Sequence, residues 1–173
     1  MSYYRTKTYV AGAWDEDHDA IEQLYRWNQS DYYSLSFVNV HDFKQARDGS
    51  KACSIKKSLS DRMDMCKTFI LIVGDSTNKV TKGSCVHCNQ YRSWSNYCNS
   101  YASQTTKSFI EFECDKARRE FLNNNIKILV LYNSSYVYKE RCPESVRDIG
   151  KHIPMKKYGD WDYAAVRDAF TWL

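Results

Sequence analysis

One carboxylate on a predicted helix is the best candidate for chemistry in this sequence. Apolar residues at helical spacing predict a helix from Ser108 onward, and Glu113 lies on it with Phe109 and Ala117 at its i−4 and i+4 positions. A carboxylate beside an apolar helix face is expected to face a crevice or to find a partner. Spacing alone favours the alternative, an ordinary i,i+3 ion pair with Lys116.

Three cysteines form a candidate metal site. Cys85 and Cys88 make a C-x-x-C pair, and Cys98 follows after nine residues. With His87 or a distant group, three thiolates can hold zinc in a tetrahedron, and a metal would pin the long polar segment that contains them. A second C-x-x-C is missing, however, so the alternative is a set of reduced cysteines in a variable insertion.

Polar and aromatic side chains follow the first two predicted strands, where an open parallel sheet presents its carboxyl ends to ligands. The residues after the first strand are Trp14, Asp15, Asp17, His18 and Asp19, and those after the second are Asp42, Phe43, Lys44 and Arg47. These types suit an ionic ligand with an aromatic ring, such as a nucleotide. A polar loop in which an aspartate caps a helix would use the same residues.

The elements that must position these residues alternate between strand and helix. Strands are predicted near 6–13, 35–40, 67–74, 126–132 and 152–156. Helices are predicted over 19–28, over 55–66 with Ser54 as its cap, from Ser108 with a capping box to Glu111, and from Val166 to the C-terminus. The alternation predicts an α/β fold: a doubly wound, flavodoxin-like sheet of five parallel strands with helices on both faces.

Length and composition fit one domain over 1–173, with a cysteine-containing insertion at about 79–107. The 173 residues are 43% hydrophobic and 27% charged, with a net charge of only +4 and no dense basic cluster, so no nucleic-acid partner is predicted. Neither a membrane span nor a signal peptide is recognisable, which predicts a cytoplasmic protein with its 7 cysteines reduced. The glycine motifs of dinucleotide-binding folds, P-loop NTPases and α/β-hydrolases are missing from the sequence.

The element order is similar to that of TIR and TIR-like domains, especially the bacterial group that includes the sensor subunits of Thoeris antiphage systems. The stretches that carry the resemblance are YVAGAWDEDHD, HDFKQARDGSKACSIKKSL, TFILIVGDST and SFIEFECDKA followed by NIKILVLYN. They resemble the first strand and its loop, the second-strand exit with the BB loop, the third strand, and the helix of the W-x-x-x-E motif with its following strand. The resemblance covers nearly all of the chain, although each motif is loose.

The resemblance implies an enzyme that cleaves NAD⁺ at the nicotinamide–ribose bond, releasing ADP-ribose or cyclising it into a signal. Glu113 takes the place of the catalytic glutamate, with Phe109 in the place of the motif's tryptophan. The positions implied to bind substrate are Ala13, Trp14, Asp15, Asp42, Phe43, Ser76 and Phe109. Ala13 replaces the family's serine, and the segment with the three cysteines is outside the common pattern.

Two other functions remain open at this point. Many TIR domains act without catalysis, by self-association or by binding another signalling protein, and 14 tyrosines in a mildly charged chain would serve that role. A flavodoxin-like receiver is the third reading, with Asp15, Asp17 and Asp75 as its acidic cluster. The receiver ranks last, because no lysine is evident at the end of the next-to-last strand.

Overall fold

A computed structural model describes residues 5–33, 35–40, 52–85, 91–95, 97–98, 103–104 and 106–173. The strands are β1 (Lys7–Ala11), β2 (Cys66–Val73), β3 (Tyr91–Arg92), β4 (Tyr97–Cys98), β5 (Ser103–Gln104), β6 (Lys127–Tyr132), β7 (Lys151–Pro154), β8 (Lys156–Lys157) and β9 (Asp160–Trp161). The α-helices are α1 (Trp14–Gln29), α2 (Ala52–Met63), α3 (Phe109–Leu122) and α4 (Tyr163–Phe170). Short 3₁₀ turns at Thr77–Lys79, Lys139–Arg141 and Glu144–Val146 lie in the connections.

The central sheet is parallel, with the strand order β1-β2-β6-β7. Its two middle strands are the apolar runs of the sequence, and both are almost wholly buried because helices cover both faces of the sheet. The predicted α/β class, with a parallel sheet between helices, is confirmed.

The predicted fifth strand, over 35–40, is reduced to a single parallel bridge. Asn39 pairs with Thr8, whose N–H donates to the carbonyl of Val38 at 2.9 Å and whose carbonyl accepts from the N–H of Val40 at 3.1 Å. Ser36 has a positive φ of 56°, which breaks the extended conformation just before this bridge. The prediction of five full strands was therefore wrong: four of the predicted strands form the sheet, and the segment 35–40 contributes only this bridge to β1.

Each face of the sheet has its own apolar core. On one face, alternate strand residues such as Tyr9, Phe69 and Val130 pack against α2 and α3. On the other, the intervening residues such as Val10 and Ile70 pack against α1 and α4. This separation follows from the two-residue period of a strand, and it places α1 and α3 on opposite faces.

Three helix starts differ from the predictions and one agrees; α4 is among those that differ, because it begins at Tyr163 rather than Val166. Ser108 caps α3 as predicted: its Oγ accepts from the N–H of Glu111 at 3.2 Å, and the Glu111 carboxylate accepts from the N–H of Ser108 at 2.7 Å. Helix α1 begins at Trp14, earlier than predicted, with a break at Asp17 (φ −114°, ψ 19°). Ser54 lies within α2 rather than capping it, so that prediction was wrong.

The insertion contains regular structure that the sequence analysis did not predict. Strands β3, β4 and β5 form a small antiparallel sheet, in which Tyr91 pairs with Cys98 and Cys98 with Ser103. Two-residue strands are too short for a period-two pattern to be recognised. Within the described part of the chain, none of the helices combines the length and the apolar character needed to cross a membrane.

Within the described part of the chain, β7 is the outermost strand on one side of the central sheet, and its last residue is a proline. Ile153 pairs with Leu131, and Pro154 pairs with Tyr132 at the end of β6. The next residue, Met155, donates its N–H to the carbonyl of Tyr132 at 2.8 Å. The chain then turns through the β8–β9 hairpin into α4, which packs against β7.

Candidate functional site

Glu113 is held beneath the surface by a tyrosine of the neighbouring strand. The hydroxyl of Tyr9 on β1 donates to Glu113 Oε1 at 2.5 Å. Tyr9 is fully buried, and Glu113 is only 2% exposed. The predicted crevice would also require the loop after the second predicted strand, and Asp42 and Phe43 of that loop lie outside the described residues. Their part in a substrate site stays a prediction.

Burial determines the protonation of the Glu113 carboxyl. Loss of hydration raises its pKa from 4.5 to about 8, while the hydrogen bond from Tyr9 acts in the opposite direction. The pKa of the Tyr9 hydroxyl is raised well above 10.0 by burial and by the adjacent carboxylate, so Tyr9 remains a donor. A carboxyl with a pKa near neutrality suits a catalytic role, although structural pairs show such shifts as well.

Lys116, the predicted alternative partner of Glu113, is held by residues at the end of α2. Lys116 is 6% exposed, and its Nζ lies 2.6 Å from both Asp64 Oδ1 and Ser60 Oγ, at the end of α2. This contact ties α3 to α2 at the base of the face that carries Glu113.

Several residues predicted to bind substrate lie around the start of α3. Phe109 donates its N–H to the carbonyl of Lys82 at 2.9 Å, and Lys82 Nζ lies 3.6 Å from the Asp15 carboxylate after β1. Gly83 has φ +98°, and a Cβ there would lie 2.5 Å from the Phe109 ring. Because glycine permits this approach, the beginning of the insertion, at residues 82–83, fits closely against Phe109. Asp15 and Phe109 are thereby brought into one region.

Ala13 and Trp14 lie at the junction of β1 and α1. Ala13 packs against the same core face as Phe109. Trp14 is 37% exposed, and its ring centre is 6.5 Å from that of His18. Ala13 is therefore placed with the α3 face, whereas Trp14 offers a half-exposed ring at the carboxyl edge of the sheet.

Ser76 belongs to a second feature, an acidic pocket of about 350 Å³ at the carboxyl edge. The pocket is lined by Glu16, Asp17, Gly74, Asp75, Ser76 and Asn133. Ser76 Oγ donates to Glu16 Oε2 at 2.6 Å, and Arg141 pairs with Asp75 at 2.5 Å. Five of these residues follow β1 or β2, and Asn133 follows β6 directly, as expected of a ligand site in an open sheet. Glu16 and Asn133 were not singled out from the sequence, although both occupy strand-end positions.

Asp17 is the buried centre of this pocket. It is 2% exposed, and Asn133 Nδ2 donates to its Oδ1 at 3.1 Å and to Asp19 Oδ1 at 3.0 Å. Burial raises the pKa of Asp17 from 3.8 to about 6, with the hydrogen bond from Asn133 opposing the shift. A Cβ at Gly74 would lie 2.0 Å from Asp17 Oδ1, so only glycine leaves room for this carboxylate. The lining offers mainly acceptors, which suits ligand hydroxyl and amide donors better than phosphates.

The structure adds a fourth cysteine to the neighbourhood of the predicted metal site. Cys85 is 1% exposed and packs in a small cluster with Cys53 of α2, which is 2% exposed. Tyr91 packs against this cluster, and its strand pairs with that of Cys98. Cys88 and the side chain of Cys98 lie outside the described residues. Among the side chains that are described, His, Cys, Asp and Glu form no group of three or more suited to a metal ion.

Residues 1–82 match the family model described as Thoeris protein ThsB, TIR-like domain. The matched segment includes β1, α1, α2 and β2, and therefore Tyr9 and the strand-end residues of the acidic pocket up to Ser76. Glu113 on α3 lies beyond it. No protein of curated function matches the chain. The resemblance stated from the sequence is thus confirmed over the N-terminal segment.

Proposed function

Because residues 1–82 match a TIR-like domain of the Thoeris type, we propose that the protein is a signalling enzyme of antiphage defence. In this proposal it cleaves NAD⁺ at the nicotinamide–ribose bond. The observation that carries the proposal is the buried Glu113 carboxyl, fixed by the Tyr9 hydroxyl at 2.5 Å. An oriented carboxyl removed from water is the group that such a reaction requires.

The proposed reaction begins with heterolysis of the bond between ribose C1′ and the nicotinamide ring nitrogen. The bonding electron pair goes to nicotinamide, which leaves as a neutral molecule, and C1′ is left as an oxocarbenium cation. Ionised Glu113 stabilises this cation, as a carboxylate does in glycoside hydrolysis. Attack of water on C1′ gives ADP-ribose and a proton, and attack by a nucleophile of the same ADP-ribose gives a cyclic product. No metal is needed for these steps.

The raised pKa of Glu113 favours a cationic substrate. Near pH 7 the carboxyl is mostly protonated in the unliganded protein, because its pKa is about 8. A nearby positive charge lowers the pKa of a carboxyl, and the oxidised nicotinamide ring carries such a charge. Binding of NAD⁺ would therefore release a proton and generate the carboxylate, whereas the neutral ring of NADH would not.

The acidic pocket supports the same proposal at the carboxyl edge. Glu16, Asp17 and Asn133 present oxygens suited to ribose hydroxyls, and Asp75 makes the lining unfavourable for a diphosphate. Arg141 beside Asp75, and Lys82 beside Asp15, are the nearby cations that could receive phosphate oxygens.

Incubation of the purified protein with NAD⁺ tests the proposal. We expect release of nicotinamide, together with ADP-ribose or a cyclic isomer, detected by chromatography and mass spectrometry. NADH should give no nicotinamide product under the same conditions. If the protein cleaves no NAD⁺ in dilute or concentrated solution, or with extract from phage-infected cells, the enzymatic proposal is contradicted.

A non-catalytic protein-interaction module is the second candidate function. Its support is the number of exposed aromatic side chains, among them Tyr158 at 92%, Tyr32 at 87% and Trp94 at 80%. Exposed aromatic rings are enriched where proteins bind each other. This function, through self-association or another signalling protein, would be favoured by assembly without NAD⁺ cleavage.

The cysteines of the insertion give a separate prediction about zinc. If Cys85, Cys88 and Cys98 bind zinc, protein purified without chelator will contain about one zinc ion per chain, with sulfur ligands at ~2.3 Å by X-ray absorption. Cys53, packed beside Cys85, is the added candidate for the fourth ligand. Cys53→Ser should then lower zinc content, while Cys66→Ser, at a buried cysteine on β2, serves as the matched control. The zinc site would be rejected if the purified protein contained no metal and all of its thiols reacted after denaturation.

A further inference from the structure

We propose that Tyr9 is a positioning residue of the active site, whose hydroxyl orients the Glu113 carboxylate and favours its ionised form. The inference rests on the proposed function and extends it to a residue on β1, outside the helix that carries the catalytic carboxyl. Tyr9 is not assigned a contact with substrate.

The position of Tyr9 is fixed independently of Glu113. Its backbone lies in the parallel ladder of β1 with β2, in register with Phe69. Its ring lies 5.9 Å from that of Phe69 at an interplanar angle of 20°, and the side chain is fully buried. Because close-packed strands restrict a buried ring to one rotamer, the hydroxyl is presented to α3 from a rigid support. The donor is therefore in place before any ligand arrives.

Three other titratable groups among the described residues interact electrostatically with the Tyr9–Glu113 pair. Arg62 and Cys66 act electrostatically on Tyr9, and Cys114 is coupled to Glu113 on α3 itself. The pKa values of both thiols are raised by burial, to about 12 for Cys66, so neither carries a charge near neutral pH. The hydrogen bond from Tyr9 directly opposes the effect of burial on the charged form of Glu113.

A donor to a carboxylate has two consequences for catalysis. It orients the oxygen that faces the reacting sugar, and it increases the ionised fraction at a given pH because the hydrogen bond is stronger to the charged form. Loss of the hydroxyl should therefore raise the pH at which activity appears. A purely structural contribution of the ring would lower activity equally at every pH.

The test compares Tyr9→Phe with a matched control, Tyr132→Phe. Phenylalanine keeps each buried ring and removes only the hydroxyl. Tyr132 lies on β6 in the same core face, but its hydroxyl contacts His152 Nδ1 at 2.9 Å instead of Glu113. We expect Tyr9→Phe to lower kcat/KM for NAD⁺ about tenfold or more at pH 7, with partial recovery at high pH. The acidic limb of its profile should move up by about one pH unit, and Tyr132→Phe should leave that limb unchanged.

A second readout does not require activity. The carboxyl ¹³C resonance of Glu113, assigned by its loss in Glu113→Gln, reports ionisation directly, and it should titrate at higher pH in Tyr9→Phe than in the wild type. Unchanged titration and an unchanged pH profile would overturn the inference.

If the wild type cleaves no NAD⁺, the proposed function fails, while the resonance still decides whether Tyr9 controls the ionisation of Glu113. If Tyr9→Phe does not fold, 3-fluorotyrosine placed at residue 9 provides a stronger donor and should shift the titration to lower pH.

Discussion

Glu113→Gln is expected to reduce NAD⁺ cleavage by about 100-fold or more while leaving the protein folded. Glutamine has nearly the same shape and can still accept the Tyr9 hydrogen bond, but it carries no negative charge for the oxocarbenium cation. Loss of ~3 kcal/mol of electrostatic stabilisation in the transition state corresponds to about 100-fold in rate. The assay should be run at pH 8 or above, where wild-type Glu113, with a pKa of about 8, is at least half ionised.

The matched control for this experiment is Glu111→Ala on the same helix. Glu111 accepts from the N–H of Ser108 at 2.7 Å in the capping box, and its side chain is exposed; two residues from Glu113, it lies on another side of the helix. Its removal should weaken the start of α3 by ~1 kcal/mol, measured by urea denaturation, and leave kcat largely intact. Full activity in folded Glu113→Gln would eliminate Glu113 as the catalytic group.

The stability of the protein should fall as the pH rises from about 5 to 8, and Glu113 should be a main cause. The folded state raises the pKa of Glu113 from 4.5 to about 8, so between these values the folded protein holds a proton that the unfolded chain has lost. Stability from this group is complete below pH 4.5 and is lost progressively until about pH 8. Each unit of pKa difference corresponds to ~1.4 kcal/mol, so the total is of the order of a few kcal/mol.

Other groups titrate in the same range, so the difference between wild type and Glu113→Gln is the quantity to measure. The pKa of Asp17 is raised from 3.8 to about 6, which contributes with the same sign at lower pH, whereas the pKa of His152 is lowered by burial and contributes with the opposite sign. By urea denaturation, the variant and wild type should be close in stability at pH 5, and the variant should be more stable at pH 8. A pH-independent difference would mean that Glu113 is ionised throughout.

The sequence pattern predicted the central sheet because the burial of a strand determines the residue types of that strand itself. Residues 69–73 of β2 are covered on both faces, and a strand segment in that position is a nearly continuous apolar run. The segment 35–40 has the same residue types but only one neighbour in the described sheet, β1, and Ser36 turns its backbone away. Strand propensity cannot report how many partners a segment will find, and the expectation of five full strands failed for that reason.

The candidate site was predictable in part. The helix position of Glu113 follows from the spacing of apolar residues, but the identity of its partner depends on which strand residue faces α3. Tyr9 was treated only as part of a strand, since a tyrosine in an apolar run gives no sign of its hydroxyl's partner. Asp17 and Asn133 are far apart in the chain, and their 3.1 Å contact exists only because β1 and β6 end at the same edge of the sheet.

The proline at the end of β7 has a consequence for how copies of the chain can join. Since Met155 directs its N–H to β6, the alternation of a parallel strand places the backbone nitrogen of residue 154 on the free side. Pro154 has no hydrogen there to donate. An incoming strand would forfeit a main-chain hydrogen bond, so this border is a poor template for continuous sheets between molecules. Filaments built by sheet extension through β7 are thereby disfavoured, and rings or stacks formed through helix faces remain compatible with the fold.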